Sequence, residues 1–521
     1  MADSSVIPGQ QLDTPTWYKT PHLIKLYLLL VAPMVTMTAW GFDLSMTNSL
    51  QALDSFNNEF GSPTGARLGF YGASTQVGGM LSIFFVPYLI DRFGRRLPCF
   101  LGSIIVVAMA LMQTFATSFN MFIGAKLVLG FGAFVALISA PTLVTELAHP
   151  AQRTTITSIY NTLIYVGLII GSWIAFGTRT IEGPAAWKIP CGLQAVLPAY
   201  QVATIWLCPE SPRWLVMKGK VEKAKAILIK YHGGGHETFT VQHELEEIIR
   251  GIEADKTQLR FKWSDIKAHI THKGNLRRLM ICTVVAVGSQ CLGSGLVSAY
   301  LPAILDQVGL ESAYDKTLIN GIINIWTWVV GLSSAIIMKR LRRRTVFLTC
   351  TTMMVVVFAV WTALAAMYTN TEQRSYGIGV VACIFLFNLF YGASWLPLNV
   401  AYPIEIVTTK QRGLYFSWTL FVISASSFVV NYINPIGLES IGWRYYLITI
   451  AFDCLVIVII YFGFVETKGM TLEQIAYQFD GSLDILYDGA EIPDHAHGRP
   501  GSMEKPVEGT VHTEEVGRKS S

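Results

Sequence analysis

Apolar residues run along this chain in twelve stretches, with approximate limits 26–52, 69–90, 98–118, 121–143, 157–176, 187–208, 279–303, 318–338, 345–368, 377–401, 414–436 and 443–465. Each is near the roughly 20 residues that carry a helix across the hydrocarbon core of a bilayer. Polar and charged residues gather in the intervals, the longest of which separates the sixth and seventh stretches. There, Val221 to Lys230 and His243 to Arg250 repeat apolar residues at helical spacing with charges on the other face. That pattern predicts short amphipathic helices at the membrane surface or against the loops. The first 22 residues are polar, contain proline and lack a short apolar core with a cleavage site, so the first stretch is expected to act as the insertion signal. The tail after about Phe479 is rich in Gly, Pro, Glu and His and reads as disordered.

Composition narrows the class. The chain is 52% hydrophobic and only 14% charged, against about 25% charged in soluble globular proteins. Over 521 residues, that deficit means a polytopic membrane protein rather than one with a single anchor. The net charge of +4 does not argue for nucleic acid, because the basic residues sit in short loops. The eight cysteines are scattered, without CxxC or Cys/His clusters, and read as small buried hydrophobes. No nucleophile–base pair, metal-ligand spacing or phosphate loop appears. The chain is therefore not expected to be an enzyme, to hold a metal or cofactor, or to be driven directly by ATP.

Orientation follows from the lysines and arginines of the short loops. The loops after the even-numbered spans carry eleven of them and the opposite loops six. The even-numbered loops, both termini and the central segment are therefore cytoplasmic. An internal repeat then sets the architecture. Glu146 precedes Arg153 by seven residues, and Glu405 precedes Arg412 by seven. Glu210 after span 6 matches Glu466 after span 12, and the basic loop at Asp91-Arg92 matches that at Lys339-Arg340, all at nearly one spacing. The expected fold is an all-α membrane protein of twelve transmembrane helices in two six-helix pseudo-symmetric halves. Its expected divisions are a cytoplasmic tail (1–22), a first half (23–208), a cytoplasmic linker with short helices (209–278), a second half (279–466) and a cytoplasmic tail (467–521). A parallel repeat of this kind predicts a binding site at the interface of the halves, near the bilayer midplane.

Two features carry candidate chemistry. Asp43, in Gly41-Phe42-Asp43, lies in the outer half of the first span. An Asp at a helix centre costs about 2.5–3.5 kcal/mol on insertion scales, so such acids usually face a bundle interior and find a partner. Asp43 is expected to bind a proton or pair with a cation; the other reading is a solvated acid near a helix end. Asp91-Arg92-Phe93-Gly94-Arg95-Arg96 turns tightly between spans 2 and 3, with Gly94 permitting the turn. Asp91 there can pair with arginines of neighbouring helix ends, a latch that holds the cytoplasmic side closed; topology alone would also collect arginines in this loop.

These residues resemble the sugar-porter branch of the major facilitator superfamily. The matches are Gly41-Phe42-Asp43, Asp91 to Arg96, Glu146 with Arg153, Pro209-Glu210-Ser211-Pro212-Arg213-Trp214, Tyr402-Pro403-Ile404-Glu405-Ile406 with Arg412-Gly413, and Glu466-Thr467-Lys468-Gly469. They span roughly residues 40 to 475. Asn434-Pro435-Ile436-Gly437-Leu438 followed by Gly442-Trp443-Arg444-Tyr445-Tyr446 looks most like fungal lactose-permease-type and hexose-type members. The resemblance implies alternating access. It also implies a cytoplasmic gating network of Asp91, Arg92, Arg95, Arg96, Glu146, Arg153, Glu210, Arg213, Glu405, Arg412 and Glu466. Substrate contacts in the family come from spans 5, 7, 8, 10 and 11, which points to Asn161, Gln290, Asn324, Trp395 and Asn431. Amides suit sugar hydroxyls because they both donate and accept, although an amide in a membrane helix also serves to bond a neighbouring helix.

The chain departs from the family pattern in places. Ser289 stands for a Gln, Gly295 for an Asn and Val400 for a Trp, losses expected to enlarge the pocket and suit a larger or less polar ligand. The second basic loop, Lys339 to Arg344, lacks the Asp and Gly of the first, so its latch is expected to be degenerate. Proton-driven members carry Arg in span 4 where this chain has Lys126. Lys keeps the charge without the planar fork. Asp43 and Lys126 are the expected proton-coupling pair, with a Lys126 that snorkels to the outer interface as the other reading. The function expected is secondary active transport of a mono- or disaccharide, lactose or hexose type, by proton symport in the plasma membrane, by a monomer in the bilayer. The alternatives are a non-sugar cargo such as a secondary metabolite, or a sugar sensor that does not transport.

Overall fold

The structure is a computed structural model, described over residues 17–258, 272–337, 341–407, 411–470 and 472–480. The expected disordered tail, Lys339, Arg340 and Lys410 lie outside the described residues. Among the described residues the regular structure is helical throughout. Eight helices are long and apolar enough to cross a membrane alone, and the pair Gly65–Ile83 and Val86–Phe93, bent by 50°, makes a ninth.

One of the eight, Leu414–Gly463, is two helices, Arg412–Ile441 and Tyr445–Gly463, joined by the turn Gly442–Arg444. Adding the broken helix Ala185–Leu193 with Val196–Thr204, and Ala313–Ile337, gives twelve spans. In order they are span 1 Pro21–Ser49, span 2 the bent pair, span 3 Arg96–Thr114, span 4 Phe119–Leu147, span 5 Arg153–Thr178 and span 6 the broken helix. Span 7 is Lys273–Cys291 with Ser294–Asp306, span 8 Ala313–Ile337, span 9 Arg343–Thr371, span 10 Arg374–Ile406, and spans 11 and 12 the last two.

Local chemistry sets the ends. Span 1 starts at Pro21, after an extended Thr20, since proline at the first helical position has no amide to satisfy. Ser118 accepts from the Met121 amide at 3.2 Å and caps span 4. Span 2 bends just before Pro87, which lacks an amide for the helical ladder. It ends at Gly94, whose φ is +93°; a Cβ there would strike the Glu210 carboxylate, so this turn admits only glycine.

Spans 1 and 5 approach closely, with Gly41 against the Ile164 carbonyl and Gly167 against that of Thr38. Span 4 packs on spans 1, 2 and 3, and span 6 on spans 1 and 3, closing the first half. In the second half span 9 packs on spans 10 and 12, span 7 on span 11, and span 8 on span 10. The halves meet where span 2 lies on span 11, span 5 on span 8, and span 1 on the outer part of span 7. Where span 1 ends the joint is hydrogen bonded. Asn48 Nδ2 donates to Asn320 Oδ1 at 3.0 Å. Asn320 Nδ2 donates to Ser49 Oγ at 3.1 Å, and Gln51 Nε2 to the Ala299 carbonyl at 2.8 Å.

Beyond span 6, helices Pro212–Met217, Val221–Tyr231 and Phe239–Gln258 share a small apolar core of Leu215, Val216, Ala224 and Ile252. Next to the second of them, His232 anchors this unit to the first half. One ring nitrogen lies 3.1 Å from the Leu147 carbonyl and the other 2.6 Å from Glu244.

Candidate functional site

Asp43 is buried inside the first half. Its Oδ1 accepts from Gln194 Nε2 of span 6 at 2.6 Å. Lys126 is also buried and does not snorkel. Its Nζ donates to Thr47 Oγ1 at 2.6 Å and sits 4.2 Å from the centre of the Tyr71 ring. Thr47 stands one turn beyond the acid and donates to the Asp43 carbonyl at 3.4 Å. The acid and the lysine therefore share one buried neighbourhood without a direct ion pair within 4.0 Å. A compact ammonium takes a hydroxyl and an aromatic face, where a guanidinium fork would extend further. Gln194, absent from the expected set, is the residue that holds the carboxyl. Its signal in the sequence was an amide inside an apolar run.

The amide positions divide. Asn324 Nδ2 of span 8 reaches the Leu168 carbonyl of span 5 at 3.4 Å, across the two halves. Asn431 of span 11 is half-buried; its side chain donates to Ser427 Oγ at 3.2 Å, and its carbonyl accepts from Tyr300 at 2.5 Å. Gln290, half-buried at the break in span 7, donates to Ser289 Oγ at 3.2 Å. Asn161 is exposed in the first part of span 5.

Trp395 departs from the expectation. It is fully buried, edge-on to Phe347 with centroids 4.9 Å apart, and its Nε1 donates to Thr351 at 3.0 Å. Its ring also fills the space beside Gly288. It is packed among spans 7, 9 and 10 rather than presented between the halves. One turn earlier, Tyr391 is half-buried and donates to the Ser289 carbonyl at 2.7 Å. The expected enlargement at Gly295 also fails, because a Cβ there would strike Val430 of span 11. The neighbouring helix has moved into the space that the missing side chain leaves. Ser289 itself is fully buried.

The charges expected at the cytoplasmic side form two matching clusters. Arg95 grips Glu146 with Nε and Nη2 at 2.9 and 3.1 Å. Glu210 accepts from the amides of Arg95 and Arg96 at 3.1 and 3.4 Å. Ser211 donates to Glu146, and Arg96 to the Trp206 carbonyl at 2.6 Å. In the second half Arg343 reaches Glu405 with Nη2 at 3.3 Å. Glu466 accepts from the amides of Arg343 and Arg344 at 2.8 and 3.2 Å. Thr467 donates to Glu405 at 2.5 Å, and Arg344 to the Tyr461 carbonyl. The second loop is thus not degenerate at these positions, because the grip is made by arginine and backbone and needs no Asp or Gly.

The remaining members of the expected network sit apart from these clusters. Asp91 and Arg92 are exposed. The Asp91 carboxylate has no ion pair within 4.0 Å, while its backbone carbonyl accepts from Trp214 at 3.1 Å. Arg153 pairs with Glu244 of the linker at 3.3 Å rather than with Glu146. Arg213 lies beside Gly251 of the last linker helix. The Arg412 side chain lies outside the described residues.

The joint between the halves makes a direct expectation. Asn320→Ala removes two hydrogen bonds between the halves. Labelling of Ala299→Cys by a membrane-impermeant maleimide should rise severalfold in that background. Unchanged labelling would mean that the joint does not hold the outer side shut.

Twelve spans in two matching halves, a hydrogen-bonded joint between them, and an acid buried inside the first half define a multi-pass membrane carrier, not an enzyme. Sequence comparison agrees. The chain belongs to the sugar (and other) transporter family, whose model matches residues 29–479. A high-affinity glucose transporter of Kluyveromyces lactis is 24% identical over 499 residues, covering 92% of this chain and 89% of that one. A sugar transporter of Saccharomyces cerevisiae is 26% identical over 483 residues, covering 89% and 82%. An MFS-type transporter of Aspergillus cristatus is 24% identical over 446 residues, covering 86% and 91%. Among solved structures, the inward-open xylose transporter of E. coli superposes with a TM-score of 0.71 at 17% identity, covering 87% of this chain and 99% of that one. That likeness concerns the fold.

Proposed function

We propose that this protein carries a sugar across the plasma membrane by alternating access, coupled to a proton at Asp43. The observation that carries the reading is the buried carboxyl of span 1. It accepts from the Gln194 amide and has the buried Lys126 nearby without a direct ion pair, an arrangement in which a carboxyl can gain and lose a proton. Asn324 and Asn431 stand where the halves meet, and Gln290 at the break of span 7. They supply the donors and acceptors that hydroxyls require. Relatives named for glucose and sugar transport support the cargo, and a structural neighbour described as a proton:xylose symporter supports the coupling. Alternating access needs the outer joint to break as the cytoplasmic side closes, with Asp91 free to enter a latch in that state. The protein is proposed to act as a monomer in the bilayer.

A second reading, a non-sugar cargo, is favoured by the departures at Ser289 and Trp395, which take polar and aromatic groups out of the interface. The test is uptake of labelled mono- and disaccharides in a hexose-transport-null yeast, with and without a protonophore. Uptake that the protonophore collapses is expected. Uptake of none of them moves the assignment to the second reading. Uptake indifferent to the protonophore removes the coupling.

A further inference from the structure

The Asp43–Gln194 pair leaves two buried acceptors without partners, Asp43 Oδ2 and Gln194 Oε1. Both residues line one small cavity between spans 1, 3, 4 and 6, with about 20 Å³ of space. Its other walls include Ala39, Trp40, Val106 and Ala133. A cavity needs roughly 10–15 Å³ to hold a water, and the water needs at least two polar partners.

Thr36 and Gln201 also line the cavity. They sit seven residues from Asp43 and Gln194, about 10 Å along each helix. They are bonded to each other at 2.5 Å, and Ser103 Oγ lies 2.8 Å from Gln201 Oε1. That second polar level satisfies itself, so the unmet demand lies at the Asp43 level.

We propose that this cavity is a binding site for one water molecule, which donates to Asp43 Oδ2 and Gln194 Oε1 together and so supports the charged form of Asp43. The inference rests on the proton reading above and adds what supports the carboxylate once that proton has left. A water has two hydrogens, and the site offers two orphaned acceptors. One molecule removes the desolvation penalty of both buried, unpaired groups. When Asp43 is protonated its O–H becomes a donor and the same water turns to accept it. The site lies within the first half, between its own spans and not at the interface between the halves. The proton and the sugar therefore occupy different compartments of one protein. Gln194 is a positioning residue here, since it aims the carboxyl and supplies the second acceptor.

The test uses purified full-length protein and infrared difference spectroscopy titrated with pH, which needs no sugar. The carboxyl band that Asp43→Asn removes reports the acid. Two cavity fillers from different spans, Ala133→Leu and Ala39→Val, displace the water without touching either polar partner. Loss of a hydrogen bond to the charged form favours the protonated form. The midpoint of that band should therefore move to higher pH, by about one unit or tenfold in proton affinity. The band should also rise in frequency. A midpoint and frequency unchanged in whichever filler folds, Ala39→Val being the milder, overturn the water site. If Asp43→Asn removes no titrating band, it is the proton reading itself that fails, which keeps the two failures distinct.

Discussion

Asp43→Asn is expected to abolish uphill accumulation of sugar while leaving exchange of labelled for unlabelled sugar largely intact. A proton gradient of one pH unit is worth about 1.4 kcal/mol, a tenfold accumulation, and only a group that takes up and releases the proton can pass it on. Asn keeps the size of the side chain and still offers an oxygen to the Gln194 amide that lies 2.6 Å from Asp43 Oδ1. The helices should therefore pack unchanged. The variant cannot lose a proton, so its exchange rate should be flat with pH. In the native protein, uptake should fall as the outer pH rises and the acid empties. Proteoliposomes with and without an imposed pH gradient measure both quantities. Accumulation that survives in Asp43→Asn would place the coupling elsewhere.

Glu210→Ala and Glu466→Ala should lower stability by similar amounts, on the order of 3 kcal/mol each. Both carboxylates cap two amides at the start of a span, Arg95 and Arg96 for span 3 and Arg343 and Arg344 for span 9. Hydrogen bonds to a charged group contribute about 1.5–3 kcal/mol apiece, and water replaces part of the loss at the half-exposed loops. The positive end of each helix also loses its counter-charge. Melting temperature in detergent is the readout, with an expected drop of about 5 °C in each variant. A large drop in one and none in the other would mean that the two clusters, though alike in geometry, are not alike in energy.

The large features were legible because their causes are local and repeated. A membrane span needs its own run of apolar residues, so twelve runs gave twelve spans. The paired acids at Glu146 and Glu405 disclosed the two halves, since both are short-range patterns met twice. The site was harder to read. Gln194 was missed because nothing near it in the chain distinguishes an amide that meets an acid 151 positions away from one that bonds any neighbouring helix. Trp395 was placed in the wrong compartment because a residue's face on span 10 depends on how that helix is rotated against spans 7 and 9. The Gly295 expectation failed for a related reason: a lost side chain makes a cavity only if the neighbouring helix stays away, and Val430 did not. The partner of Arg153 was hidden too, because Glu244 belongs to the linker, whose docking on Leu147 through His232 has no periodic signature.

The matching clusters bear on how the chain is made. In each half a late contact is supplied by the residues just after its sixth helix, Glu210 and Ser211 in one case and Glu466 and Thr467 in the other. They fasten onto the third and fourth helices of their half, synthesised earlier. The first half can therefore clasp itself as soon as Ser211 leaves the ribosome, before any of the second half exists. The ribosome thus delivers two self-fastened bundles in succession, and what remains is to dock them along spans 2 and 11, 5 and 8, and 1 and 7. A defect in the first clasp would strike before any of the second half exists.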